Sequence, residues 1–338
     1  MSTTHFSSKR LFATSLRPSL FSAMAFSSAV LAGCFTGDFD ENAEGAYSCD
    51  SDTDCSNQFV CSLFRCVSDL GPSLEILSPE PDSITAVTQG EGMTITVRIN
   101  DLELSKSAGH TDGDGFVELR IDDDVLESRI DAGNAADGIT IPISAETLAN
   151  YSAGAHHIRV QVKFGDGFRY PNPSASGHRA FFIDDGAPHV GIMEPGPGSL
   201  HLAGRELAVK IGAINFDMVI EGDTCTQEDF ESTEGCEGDP ANFDEYGHAH
   251  MYLLDDFPSC LNGGVGGECS SKYVTSVRPK TQDEVDDPSG VHGSIPGGSF
   301  PRPGITKLST GLQYNNHKPY VSPSAPVFDQ FEIEIIKR

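Results

Sequence analysis

The chain has 338 residues, which is enough for two or three domains. Its formal net charge of −28 argues against nucleic acid and anionic lipid as partners, because both are negatively charged themselves. Thirty-five glycines and twenty prolines, without a tryptophan, favour a turn-rich β protein over a helical bundle. No amphipathic helix pattern longer than about three turns is visible.

Residues 1–33 have the parts of an export signal. Lys9, Arg10 and Arg17 precede an apolar run that is too short to span a membrane comfortably. The run ends in Leu31-Ala32-Gly33-Cys34, which resembles the lipobox of bacterial lipoproteins. That resemblance implies that residues 1–33 are removed and that Cys34 receives the lipid that anchors the protein to a membrane. An ordinary signal peptide that contains a cysteine is the alternative.

The segment 34–46 is acidic and poor in apolar residues, which predicts a flexible tether. Phe35, directly after the lipobox cysteine, resembles the pattern of enterobacterial lipoproteins that are sorted to the outer membrane. We therefore expect an exported protein that its lipid attaches to the cell envelope, in the outer membrane of a Gram-negative bacterium.

Four cysteines are closely spaced in residues 47–69: Cys49, Cys55, Cys61 and Cys66. Because an exported chain meets an oxidising compartment, this even set predicts two disulfides in a module too small to bury a core. Of the three possible pairings, Cys49–Cys61 with Cys55–Cys66 is favoured. Zinc ligation is the alternative, although no histidine lies nearby. The pattern resembles the Cys-rich knots of lipoproteins from predatory and social bacteria, which implies a structural spacer.

The rest of the chain contains an internal repeat. The matching segments are residues 74–84 with 190–200, residues 115–124 with 247–256, and residues 154–183 with 304–333. The second copy has gained two insertions, and each carries a cysteine pair: Cys225 and Cys236 in the first, Cys260 and Cys269 in the second. We expect each pair to form a disulfide that holds its loop.

Each copy contains short apolar or alternating stretches separated by Gly, Pro, Asn and Asp clusters. This spacing predicts an all-β fold of two tandem immunoglobulin-like β-sandwiches, over residues 72–185 and 188–338, after the disulfide-rich module. The Pro-rich openings of both copies resemble the first strand of bacterial Ig-like domains. The short linker between the copies predicts restricted bending.

Three histidines of the second copy have no counterpart in the first. His248 and His250 lie two apart in a predicted strand and therefore share a face, whereas the first copy has Phe116 and Glu118 there. His317 is the third. Since residues that merely build the sandwich should occur in both copies, the second copy is expected to hold any site.

Imidazoles on one face are typical ligands of transition metals. The three histidines, with Asp255 or Asp256 as an oxygen ligand, therefore suggest a copper or zinc site. The alternative is that the histidines hydrogen-bond loop carbonyls. Calcium is a less favoured candidate than copper or zinc, and it would bind incidentally to the acidic run 221–244.

Residues 190–336 also resemble a family of exported bacterial domains of unknown function. That family has a "GHHHLLID"-like strand and a later "PGxHTL…NHxP"-like segment, which correspond to residues 247–255 and 303–319. Thr306 and Ala249 replace two of the family's histidines. The resemblance implies an Ig-like fold and export, and it carries over no activity.

No catalytic motif is present: the chain lacks a G-x-S-x-G elbow, an H-E-x-x-H helix and a phosphate-binding loop. We therefore predict a protein that is not an enzyme. It is expected to be a lipid-anchored binding or surface-interaction module, with an envelope or extracellular protein or a glycan as its partner. The alternative is a periplasmic lipoprotein that binds a transition metal through His248, His250 and His317.

Overall fold

A computed structural model describes Cys49 and residues 52–55, 59–63, 65–81, 83–104, 109, 114–128, 138–218, 246–253, 272–314, 320–322 and 325–337. Within these ranges β-strand is the predominant secondary structure, and there are two four-residue α-helices, α1 (Ala145–Leu148) and α2 (Gln282–Val285). Single-turn 3-10 helices span Asp52–Asp54, Pro173–Ala175 and Gly297–Ser299.

The cysteine-rich module is a hairpin of β1 (Phe59–Ser62) and β2 (Arg65–Ser68) closed by two disulfides. Cys49 pairs with Cys61 and Cys55 with Cys66, which is the predicted pairing. Asp69 then joins the module to the first sandwich, because its carboxylate accepts hydrogen bonds from the backbone N–H and hydroxyl of Ser174 and from the amide of Asn172.

The described residues of the first sandwich form nine strands. They are β3 (Ser73–Ser78), β4 (Ala86–Thr88), β5 (Met93–Asn100), β6 (Glu103–Leu104), β7 (Asp114–Ile121), β8 (Asp124–Ser128), β9 (Ile139–Ile143), β10 (Gly154–Lys163) and β11 (Ser176–Asp184). One sheet has the order β3-β5-β9, and the other has the order β4-β11-β10-β7-β6 with β8 beside β7. Alternate residues of both sheets, such as Val97, Leu119 and Val160, are buried between them.

The second sandwich repeats this arrangement. Its strands are β12 (His189–Glu194), β13 (Leu200–Leu202), β14 (Leu207–Ile214), β15 (Asp217–Met218), β16 (Tyr246–Tyr252), β17 (Thr275–Val277), β18 (Val291–Ile295), β19 (Gly304–Tyr314), β20 (Val321–Ser322), β21 (Ala325–Pro326) and β22 (Phe328–Ile336). One sheet is β12-β14-β18; the other is β13-β22-β19-β16-β15 with β17 beside β16, and β20 and β21 form a separate hairpin. Two tandem immunoglobulin-like sandwiches therefore follow the disulfide module, as predicted.

The repeat extends to details of the backbone. The first strand of each sandwich has a register shift at the same place, after Ile76 in β3 and after Ile192 in β12. Gly115 is the second residue of β7 and Gly247 the second residue of β16, and each lies against the backbone of the neighbouring strand. A Cβ at Gly115 would lie 2.1 Å from the carbonyl oxygen of Lys163, and one at Gly247 would lie 1.9 Å from that of Gln313.

The register also corrects the sequence alignment of the last strand. Gly154 pairs with Ile183, and its counterpart Gly304 pairs with Ile335 rather than with Ile333. Ile183 therefore corresponds to Ile335, two residues beyond the position that pattern matching gave. A shift of two residues keeps every side chain on the same face of a strand, so the alternation of apolar residues could not reveal it.

The outer face of β10 and β11 packs directly on the second sandwich. Nε2 of His157 lies 3.0 Å from Oδ2 of Asp329, which also accepts a hydrogen bond of 2.8 Å from the backbone N–H of Ile192. The His157 ring contacts Phe331 edge to face. His157 and Asp329 are both buried, so this polar contact fixes the two sandwiches relative to each other.

Two glycines permit the close approach of the sandwiches. Gly191 and Gly212 are directly opposite each other on β12 and β14. A Cβ at Gly191 would lie 2.7 Å from Cβ of Ala155 and 3.1 Å from the Phe182 ring, and one at Gly212 would lie 3.2 Å from Ile84. The equivalent positions of the first sandwich hold the exposed ion pair of Glu75 and Arg98, 2.9 Å apart.

Replacing Gly247 by alanine should destabilise the protein by roughly 1–3 kcal/mol, because the new methyl group would overlap the Gln313 carbonyl and force the strands apart. Urea unfolding measures this change. Gly298→Ala is the matched control, since no atom lies within 4 Å of a Cβ built there. Equal stability of the two variants would contradict the close contact.

Asp329→Ala should lower the unfolding free energy by about 1.5–3 kcal/mol for each hydrogen bond that its carboxylate accepts, because both donors are left buried without it. Calorimetry of the full chain measures the loss. Asp283→Ala removes an exposed acid of α2 and should leave the transition unchanged. A similar small effect of both substitutions would show that the Asp329 contact does not hold the sandwiches.

Candidate functional site

Strand β16 carries His248, His250 and Tyr252 on the outer face of the six-stranded sheet. Ala249 and Met251, which alternate with them, point into the core. Both histidines and Tyr252 are nevertheless fully buried. The predicted sharing of one face by His248 and His250 is therefore observed, and Nε2 of one lies 2.9 Å from Nε2 of the other.

A chain of hydrogen bonds continues from these imidazoles into β19. Nδ1 of His250 lies 3.4 Å from the Tyr252 hydroxyl, which lies 3.2 Å from Nε2 of Gln313. Gln313 is also fully buried, and its Oε1 has no hydrogen-bond partner among the described residues. Thr310 donates its hydroxyl hydrogen to the carbonyl oxygen of His250 and so fixes the backbone beneath the ring.

Tyr273 covers the outer side of His250. The two rings stack with centroids 4.0 Å apart, and Tyr273 itself stays partly exposed. Burial raises the pKa of Tyr252, with a further contribution from nearby Tyr273, so its hydroxyl keeps its proton at physiological pH. The cluster is therefore a set of polar groups shielded from water, in which protons can be arranged in more than one way.

At the equivalent positions, the first sandwich has charged side chains instead. Glu118 stands where His250 does, and its carboxylate contacts Lys163 at 2.6 Å and Arg120 at 2.8 Å. Burial works to raise the pKa of Glu118, but the hydrogen bonds and charges of these two cations outweigh it and lower the pKa. Because Lys163 and Arg120 occupy the positions of Gln313 and Tyr252, an ion-pair cluster in one sandwich corresponds to a cluster of two imidazoles, a phenol and an amide in the other.

The remaining predicted site residues lie outside the described residues. They are His317, Asp255, Asp256, Cys34, Cys225, Cys236, Cys260 and Cys269, together with the acidic run 221–244. Among the residues that the structure describes, the one group of three metal-ligand side chains within reach of one another is Cys49, Cys55 and Cys66 of the disulfide module. Sequence reasoning missed Tyr252 and Gln313, although comparison of Gln313 with Lys163 would have drawn attention to both.

His156 and His157 of β10 differ from expectation. Because neighbouring residues of a strand point to opposite faces, alternation predicts that one of them is packed and the other exposed, yet both are buried. His156 contacts the carboxylate of Asp122 at 2.8 Å and donates to the Ser152 carbonyl. Desolvation at the interface, His157 and Arg179 together lower the pKa of His178 to about 3, so this neighbour of His157 is neutral. The alternation rule failed here because the second sandwich covers the outer face of the strand.

A second feature of the same outer face is an exposed row across β13, β22 and β19. Leu200 pairs with Glu334, and Glu334 pairs with Ile305, so the three side chains point the same way. Leu200 is 48% and Ile305 69% exposed. The register equates this row with Ala86, Phe182 and Ala155 of the first sandwich, the last two of which contact the second sandwich.

Comparisons with known proteins identify neither a family nor a function for the chain. No protein-family model and no curated protein matches the chain. Among solved structures, fibronectin(III)-like modules of Clostridium thermocellum CbhA are 13% identical and align with a TM-score of 0.23 over 78% of this chain and 94% of theirs. The two-domain structure of DIP-gamma, IG1+IG2, is 11% identical with a TM-score of 0.18 over 80% and 99%.

A bacterial ice-binding adhesin involved in host cell surface retention is also similar, at 13% identity and a TM-score of 0.21, over 80% of this chain and 65% of its own. Scores this low carry no argument about function, so the immunoglobulin-like description depends on strand order and register. Within the described ranges, none of the helices has the length and hydropathy that crossing a bilayer requires.

The His156–Asp122 pair should make stability depend on pH in both directions. Burial opposes the charged form of His156, but the hydrogen bond and charge of Asp122 outweigh it and raise the pKa of His156 above 6.5. Its contribution is therefore complete below pH 6.5 and is lost as the pH rises through the raised pKa. The pKa of Asp122 is lowered below 3.8, because bonding to His156 outweighs burial, so its contribution is lost only in stronger acid.

We expect the unfolding free energy of the native chain to fall above about pH 6.5 by more than that of His156→Gln, measured in denaturant titrations between pH 4 and 9. His292→Gln, which alters an exposed histidine, should follow the native curve. Parallel curves for the native chain and His156→Gln would show that the pair carries no pH dependence.

Proposed function

We propose that the protein is a non-catalytic surface-interaction module of the cell envelope, held by a lipid on Cys34, whose second sandwich binds a partner protein. The observation that carries this proposal is the exposed row of Leu200, Glu334 and Ile305. Its counterpart in the first sandwich is the surface that docks the second sandwich, so the same kind of surface remains open one module further along the chain.

The partner is inferred from the chemistry of the row. Two exposed aliphatic side chains flank a carboxylate, and Glu332 adds a second exposed acid on the same face. A complementary surface would be a flat sheet face with small residues and a basic side chain opposite Glu334. A glycan is a weaker match, because the row offers aliphatic side chains rather than aromatic ones.

A second copy of the chain does not meet this requirement. The docking surface of its second sandwich, at Gly191 and Gly212, is already covered by its own first sandwich. The equivalent surface of its first sandwich carries Glu75 and Arg98, whose ion pair would be desolvated and whose carboxylate would approach Glu334. These two features act against head-to-tail polymerisation, so the partner is a different protein.

Binding of a transition metal is a second candidate function, because two of the three predicted histidine ligands approach each other to 2.9 Å. The metal hypothesis concerns His248 and His250 on β16, whereas the partner hypothesis concerns the exposed row on β13, β22 and β19. Either function can therefore be removed without the other.

If the exposed row binds a partner protein, cross-linking to that partner should depend on where the reactive group is placed in the chain. A photo-reactive amino acid at residue 305 of the full chain, illuminated in the producing cells, should give one defined heterologous adduct, and Glu334→Lys should reduce its yield. The matched control places the same amino acid at Val125, an apolar residue of β8 that is 46% exposed. No adduct at residue 305, an adduct with another copy of the chain, or equal adducts at both positions would reject the proposal.

A further inference from the structure

We propose that His248 and His250 bind one Cu²⁺ ion through their Nε2 atoms, while Tyr252 and Gln313 act as positioning residues for the imidazole of His250. This inference deepens the second candidate function and depends on it. It does not depend on the partner surface at Leu200, Glu334 and Ile305.

The separation of the two nitrogens favours copper over zinc. Metal–nitrogen bonds of about 2.05 Å place two nitrogens roughly 3.3 Å apart at the tetrahedral angle that zinc prefers. The same bonds place them about 2.9 Å apart at the right angle of a square-planar or tetragonal Cu²⁺ centre. The observed distance between Nε2 of His248 and Nε2 of His250 is 2.9 Å. The two imidazoles can therefore serve as neighbouring equatorial ligands of copper without a change in the distance between their Nε2 atoms.

The hydrogen bonds behind His250 prepare the ring for a metal. The two ends of the Gln313 amide have nearly the same shape, and rotation by half a turn would place Oε1 beside the Tyr252 hydroxyl. Tyr252 would then donate to Oε1, which otherwise has no partner among the described residues, and would accept from Nδ1–H of His250. In that arrangement Nε2 of His250 presents a lone pair toward His248. Groups that orient a ligating histidine through its other nitrogen are a common feature of metal sites.

Binding then needs one change of tautomer. With Nε2 of His250 as an acceptor, the 2.9 Å contact is a hydrogen bond donated by Nε2–H of His248. Transfer of that proton to Nδ1 of the same ring leaves both Nε2 lone pairs for the ion, with no net loss of a proton. The competing reading is that the histidines only hydrogen-bond each other. That alternative does not explain why β16 has imidazoles, since the first sandwich fills the equivalent positions with Glu118 and the cations Lys163 and Arg120.

The test uses the full exported chain and CuCl₂ alone. After dialysis we expect one copper per chain, with nitrogen splitting from two imidazoles in the electron paramagnetic resonance spectrum. Tyr252→Phe keeps both ligands and removes the positioning hydroxyl, so it should weaken binding roughly ten- to hundredfold. His292→Ala, which removes an exposed histidine of β18, is the matched control and should bind as the native chain does.

Three outcomes would overturn the inference: no copper retained after dialysis, a spectrum without nitrogen splitting, or an affinity that Tyr252→Phe leaves unchanged. A spectrum with oxygen ligands only would assign the copper to the acidic surface of the chain instead. The spectrum of the native chain keeps the test decisive even where His248→Ala and His250→Ala fail to fold. If copper binding fails while the cross-link at residue 305 persists, only the metal function is lost.

Discussion

The contact between Asp329 and His157 joins three strands that belong to two sandwiches. Asp329 on β22 accepts from the backbone of β12 in its own sandwich and from an imidazole on β10 of the other. All of these groups are excluded from water, so removing the Asp329 carboxylate leaves both donors without that acceptor. Because this contact holds the second sandwich against β10, the outer face of the first sandwich is covered there, while the equivalent face of the second sandwich stays exposed at Leu200 and Ile305.

The outer faces of the two sandwiches differ in the residues they carry. In the first sandwich the face supports the neighbouring module, and an ion-pair cluster of Glu118, Lys163 and Arg120 stabilises its far end. In the second sandwich the same sheet carries an open aliphatic and acidic row at one end and a buried imidazole cluster at the other. One fold thus provides a supporting module and a module that is free to interact.

Much of this arrangement could be predicted from the sequence. The alternation of apolar residues and the turn residues predicted the two sandwiches, and the cysteine spacing predicted the disulfide module. The repeat located His248 and His250 on one face, because the positions two apart in a strand are fixed by geometry. Burial of His157 could not be predicted, since it depends on a surface contributed by residues far along the chain. The two-residue offset of β22 was equally hidden, because alternation is blind to even shifts.

The direction of two edge pairings has a mechanical consequence. β4 runs parallel to β11, and β13 runs parallel to β22, so the chain enters each of these pairs at one end and leaves at the other. If the protein is anchored at its amino terminus and holds a partner through its second sandwich, as proposed, tension would slide β4 and β11 of the first sandwich along each other. All hydrogen bonds of a pair would then share the load instead of opening one after another. The first sandwich of a tethered protein that binds a partner would in this way resist unfolding under tension.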